Sequence, residues 1–171
     1  MPGPGGIPRR VRSASWPALA VAGNGLVLFA FVRLPWASGA GVLKGRDFTG
    51  PALARLARNL DLLLPAITGG PAAWLFPLLL YGVPVAAVAG ALLALACPWS
   101  RDAALLQRGT GLAGLIALLL VALVAGTLLA GPAAGAYLSQ RPGIGLLAAL
   151  GGTGLALLSG IQKTGDDTVP R

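Results

Sequence analysis

Residues 109–134, GTGLAGLIALLLVALVAGTLLAGPAA, contain no charged side chain and consist mostly of Leu, Ala, Val, Ile and Gly. A bilayer core about 30 Å thick is crossed by about 20 residues rising about 1.5 Å each, and a run this long has no place on the surface of a water-soluble fold. It reads as a transmembrane helix, and the rest of the chain must be arranged around it. On one of its faces every fourth residue is small: Ala122, Gly126 and Ala130. That spacing lets a second helix approach closely, which matters in lipid because no hydrophobic drive joins helices there.

Three further stretches are read as spans. The first covers 16–36 and follows Arg9, Arg10 and Arg12 in a tail spanning 1–15. A basic segment before an apolar run also describes a signal peptide; here it is taken as a retained first span. The second covers 71–97, with Pro77 and Pro84 expected to bend its outer half by removing backbone bonds. The fourth covers 143–161 and leads into a polar tail, 162–171. Both repeat the small-residue spacing, through Gly82, Ala86, Gly90 and Ala94 in one and Ala148, Gly152, Ala156 and Gly160 in the other. The expectation is an all-α integral membrane protein with four transmembrane helices.

The connections differ in kind. Residues 98–108 and 135–142 form a short inner loop and an outer turn, whereas 37–70 is the one long connection. Its first part, ASGAGVLKGRDFTG, is glycine-rich and reads as irregular. Its second part carries Pro51 in a first helical turn, then Leu53, Leu56, Leu60, Leu63 and Leu64 on one side and Arg55, Arg58 and Asn59 on the other. This pattern predicts an amphipathic helix over 51–64, lying in the membrane interface or docked on a partner subunit. Trp16, Trp36, Trp74 and Trp99 all fall at predicted membrane–water boundaries, where indole rings act as interface anchors.

Composition agrees with the membrane class: 56% of residues are hydrophobic, 11% are charged, and no room remains for a soluble domain. In a soluble protein a net charge of +8 would suggest nucleic acid. Here the arginines flank spans, where they set orientation and meet anionic lipid, so no nucleic acid is expected. The basic tail places both termini in the cytoplasm of a bacterial cell, with the protein multi-pass in the inner membrane. Lys44, Arg46, Arg55 and Arg58 on the outer connection weigh against that orientation and keep the inverse open.

Reactive chemistry has few carriers. The chain has no His and no Glu, and Cys97 is its single cysteine, so no intrachain disulfide is possible. Structural zinc, di-iron and histidine-ligated haem sites cannot be built from this chain alone, nor can a Ser-His-Asp or Cys-His arrangement. Proton- and ion-coupled transporters place ionisable groups inside the bundle, and spans two, three and four carry none between their ends. The one strongly polar side chain well inside a span is Asn24, in AVAGNGLVL. Its expected role is a hydrogen bond across helices that fixes register; the alternative is contact with a pigment or quinone carbonyl.

Leu34-Pro35-Trp36, closing the first span before a glycine-rich outer loop, resembles small four-span membrane proteins of GC-rich bacteria, as does the fourth span with Gly143, Gly145 and Gly152 amid Leu and Ala. The resemblance implies a topology and no activity. A long first outer loop is also similar to the topology of claudins, but the paired loop cysteines of claudins are absent here.

These features lead to the expectation of a non-catalytic accessory or structural subunit packing against larger integral membrane subunits and lipids. The guessed host is an electron-transport or photosynthetic complex. No cofactor is expected, with lipid or pigment contact left open. One alternative is a small transporter or channel with a polar pathway past Asn24, Thr127 and Thr153. The other is a stand-alone lipid-organising protein using 51–64 as its membrane contact.

Overall fold

The computed structural model describes residues 9–40, 43–63, 72–96, 101–130 and 143–167, with side-chain surroundings for 16–40, 43–56, 58–59, 78–96, 102, 105–123 and 143–161. Among the described residues there are five helices: α1 (Arg9–Arg33), α2 (Gly50–Leu63), α3 (Ala72–Ala96), α4 (Arg101–Ala130) and α5 (Ile144–Asp167). All but α2 are long and apolar enough to cross a membrane, over Trp16–Arg33, Leu78–Ala96, Leu105–Leu123 and Ile144–Ile161.

The four long helices form a closed ring. α1 packs against α3 and α5, and α4 packs against the same two, so α1 and α4 face each other across the diagonal. Neighbours run antiparallel, as two contacts show: Gly143 and Gly145 at the start of α5 meet the end of α1, and Arg108 near the start of α4 meets Gly160 near the end of α5. The larger core cluster gathers Val27, Phe31, Trp36, Leu80, Val83, Leu118 and Val121 in the half of the bundle nearer α2. A smaller one of Trp16, Ala20 and Ala94 fills the other half.

Helix boundaries differ from the sequence expectation where charged residues suggest a loop. α1 begins at Arg9 because nothing from there to Ser15 opposes a helix, and it ends at Arg33, leaving Trp36 outside it. α4 begins at Arg101 and carries Asp102 in its first turn, where a carboxylate suits the positive end of the helix dipole. α3 remains one continuous helix through Pro77 and Pro84. Residues 64–71, 97–100 and 131–142, which include Trp99 and the outer turn, lie outside the described residues.

The stretch expected to be irregular contains a small antiparallel ribbon. β1 (Ala37–Ser38) pairs with β2 (Asp47–Phe48) in the register Ala37↔Phe48 and Ser38↔Asp47. The Trp36 N–H donates to the Phe48 carbonyl at 2.8 Å, and the Gly39 N–H to that of Arg46 at 2.7 Å. Ser38 Oγ donates to Asp47 Oδ1 at 2.8 Å, closing the ribbon on its exposed side. The chain reverses through Gly45 at φ +85°, a left-handed conformation that a residue without Cβ adopts at little cost. The ribbon delivers the chain to α2, which lies on α3 and the end of α1. Leu53 and Ala54 are buried in the bundle's own core, while Arg55, Arg58 and Asn59 are exposed. The described part of the amphipathic face is therefore covered by this chain's own helices.

Candidate functional site

The residues singled out by the sequence fall into three sets: the small-residue faces, the tryptophans and the polar group Asn24 inside a span-length helix. The closest helix approach is between α1 and α5. A Cβ built on Gly23 would lie 2.6 Å from the Gly152 carbonyl oxygen and 2.8 Å from the Ala156 nitrogen. One built on Gly152 would lie 2.6 Å from the Gly23 carbonyl oxygen and 2.8 Å from Val27 Cγ2. The two backbones touch because neither residue has a side chain, the arrangement that small-residue spacing favours in membranes. Gly152, Ala156 and Gly160 are buried along this face, and Ala148 is half-buried.

On α3, Gly90 and Ala94 are buried and face the interior, whereas Gly82 and Ala86 are half-buried. On α4 the small face behaves differently. Ala122 is exposed, and the inward positions are Gln107, Gly111, Gly114, Leu118 and Val121. Gly111 receives Leu157 and Gly114 receives the Thr153 methyl group, so α4 closes on α5 through glycines other than those first singled out. Gly126 and Ala130 are in α4, but their side-chain positions are outside the described set.

Trp16 and Trp36 stand near opposite ends of α1 and are turned into the fold, 1% and 5% exposed. Trp36 organises the α2 end of the molecule. Its Nε1 donates to the Ala30 carbonyl at 2.8 Å, and its ring meets Phe31 edge-on at 5.6 Å between centroids. The Gly143 N–H donates to the Trp36 carbonyl at 3.1 Å and the Gly145 N–H to the Pro35 carbonyl at 2.8 Å, tying α1 to α5. A Cβ on Gly145 would lie 2.5 Å from Trp36 Cδ1, so the indole sits directly on the first turn of α5. Trp74 lies in α3 and Trp99 lies between α3 and α4; neither side chain is among those described.

Buried polar groups gather in the half of the bundle away from α2. Asn24, Gln107, Thr153 and Ser159 are all buried. Two of them are satisfied within their own helix: Thr153 Oγ1 donates to the Ala149 carbonyl at 2.5 Å, and Ser159 Oγ to that of Ala156 at 2.6 Å. Such back-bonding commits the hydroxyl proton and leaves the oxygen only as an acceptor. The Thr153 methyl group meets Gly114 between α4 and α5, and the Thr127 side chain lies outside the described set. Asn24 points at Gly90: a Cβ there would lie 2.8 Å from Asn24 Nδ2 and 3.1 Å from Thr110 Oγ1. Asn24, Gly90 and Thr110 thus bring α1, α3 and α4 together at one point, and the Thr110 hydroxyl donates to the Gln107 carbonyl within α4 at 3.0 Å. Nearby, Arg108 Nε donates to the Gly160 carbonyl at 3.1 Å and locks α4 to α5.

Gln107 was not singled out by sequence. It lies in PWSRDAALLQR, where Arg101, Asp102 and Arg108 suggest a loop. The available signal was the spacing Gln107, Gly111, Gly114, Leu118, Val121, which keeps one helical face. Among the described residues no group of three or more His, Cys, Asp or Glu comes together. Comparison with protein-family models, with curated proteins and with solved structures returns no match.

Proposed function

We propose that this chain is a multi-pass protein of the bacterial cytoplasmic membrane, with both termini on the cytoplasmic side, serving as a non-catalytic accessory subunit of a larger integral membrane assembly. Membrane placement is supported by a belt of outward apolar side chains, among them Phe29, Val85, Leu92, Leu119, Leu147 and Leu155. A water-soluble surface rarely carries so continuous an apolar face.

The observation that carries the accessory role is the outer face of α1. Ala18, Ala22 and Gly25 are exposed there, and a Cβ on Gly25 would meet nothing within 4 Å. The neighbouring Gly23 is consumed by α5, so α1 presents small residues on two faces and uses only one inside its own bundle. A second helix can close on the outer face as α5 closes on the inner one. A photo-crosslinking amino acid at position 22 tests this in the native membrane, with position 147 on the outer face of α5 as reference. Position 22 is expected to join the chain to a larger membrane protein. Lipid adducts alone at both positions would refute the proposal.

A further inference from the structure

Among the described residues, buried hydrogen-bonding groups are left over on the inward faces of α1 and α4. Asn24 and Gln107 are 4% and 0% exposed, yet Asn24 Nδ2 and both amide atoms of Gln107 have no hydrogen-bond partner among the described residues. Buried carboxamides in apolar surroundings are strongly unfavourable unless their N–H and C=O groups are paired. The nearby hydroxyl protons are already committed: Thr110 donates to the Gln107 backbone, Ser159 to Ala156 and Thr153 to Ala149.

Helical side chains lean toward the N-terminus of their own helix. α1 and α4 run parallel across the diagonal of the ring, so Asn24 and Gln107 lean toward the same end of the bundle. One turn beyond the point where Asn24 and Thr110 meet Gly90, the inward positions are Ala20 on α1, Ala94 on α3 and Gln107 on α4. Ala20 and Ala94 are buried there with Trp16, and neither alanine side chain can pair with the glutamine amide.

We propose that Asn24 and Gln107 hold a small cluster of ordered water between them, a hydrogen-bonded link joining the two helices that face each other across the diagonal of the ring. The unpaired atoms call for acceptors at the two NH2 groups and a donor at Gln107 Oε1, a pattern water meets because it does both. Both carboxamides are neutral, so nothing in the pair selects an ion. The complete burial of Gln107 closes the position to a large ligand.

Side-chain amide NMR on the 15N-labelled full chain in lipid nanodiscs tests this. The NH2 groups of Asn24 and Gln107 are expected to show cross-peaks at the water frequency that persist as bound-water signals, with no cross-peaks to lipid acyl chains. Gln107→Met, whose side chain has similar length and no amide, is expected to shift or weaken the Asn24 water cross-peak in the folded chain. Absence of water cross-peaks, direct contact of the Asn24 NH2 group with the Gln107 amide or the Thr110 hydroxyl in their place, or an Asn24 signal unaffected by Gln107→Met would overturn the proposal.

Discussion

At the scale of single residues, two glycines and one tryptophan carry the tertiary structure. Gly23 and Gly152 permit backbone contact, so Gly152→Val should drive side-chain atoms into the Gly23 carbonyl and separate α1 from α5. Overpacking of this kind costs about 1–3 kcal/mol, and thermal unfolding in detergent should show a lowered midpoint. Gly25→Leu, in open space two residues from Gly23, should leave that midpoint nearly unchanged while abolishing the crosslink from position 22. Trp36→Phe keeps an aromatic ring beside Phe31 but loses the bond to the Ala30 carbonyl. It should cost about 1 kcal/mol, whereas Trp36→Ala should cost about 3–5 kcal/mol by emptying the junction of α1, α5 and the ribbon. The Gly23 contact was not legible in the sequence, because AVAGNGLVL offers Gly23 and Gly25 equally and only the relative rotation of α1 and α5 decides which is covered.

At the scale of elements, periodicity and length located the helices, since an apolar run long enough to span a bilayer has few other conformations. The structure nevertheless carries α1 and α4 into charged sequence at their N-termini. Arg and Asp are compatible with a helix that continues beyond an apolar core, so charge marks the edge of the apolar segment and not of the helix. The ribbon was missed because Ala37–Ser38 and Asp47–Phe48 are too short to show alternation; they are held by Trp36, Gly39 and the turn at Gly45. Gly45→Val should strain that turn and loosen the ribbon without unfolding the helices. Hydrogen exchange should then speed up at the Trp36 and Gly39 amides and stay slow in α5.

At the scale of the whole molecule, orientation rests on a narrow balance of charge. Arg9, Arg10, Arg12, Arg101, Arg108, Lys163 and Arg171 lie on the proposed cytoplasmic side, against Arg33, Lys44, Arg46, Arg55, Arg58 and Arg141 on the other. Because Lys and Arg near span ends set topology, replacing Arg9, Arg10 and Arg12 together by Gln should invert a large fraction of the chains, as read by a compartment-sensitive reporter fused to the C-terminus. Wild-type chains should report the cytoplasm.

The fold gives a closed ring whose glycine contacts, aromatic junction and Arg108 latch hold shape, with Ala18, Ala22 and Gly25 exposed on the outer face of α1 that we propose as the docking surface. The most direct test is the native mass of the complex extracted from its own membrane in mild detergent. The account predicts co-migration with larger integral membrane subunits, lost in Gly25→Leu. A wild-type chain that migrates alone, or as a homodimer, and moves a solute or turns over a substrate when reconstituted by itself would contradict it.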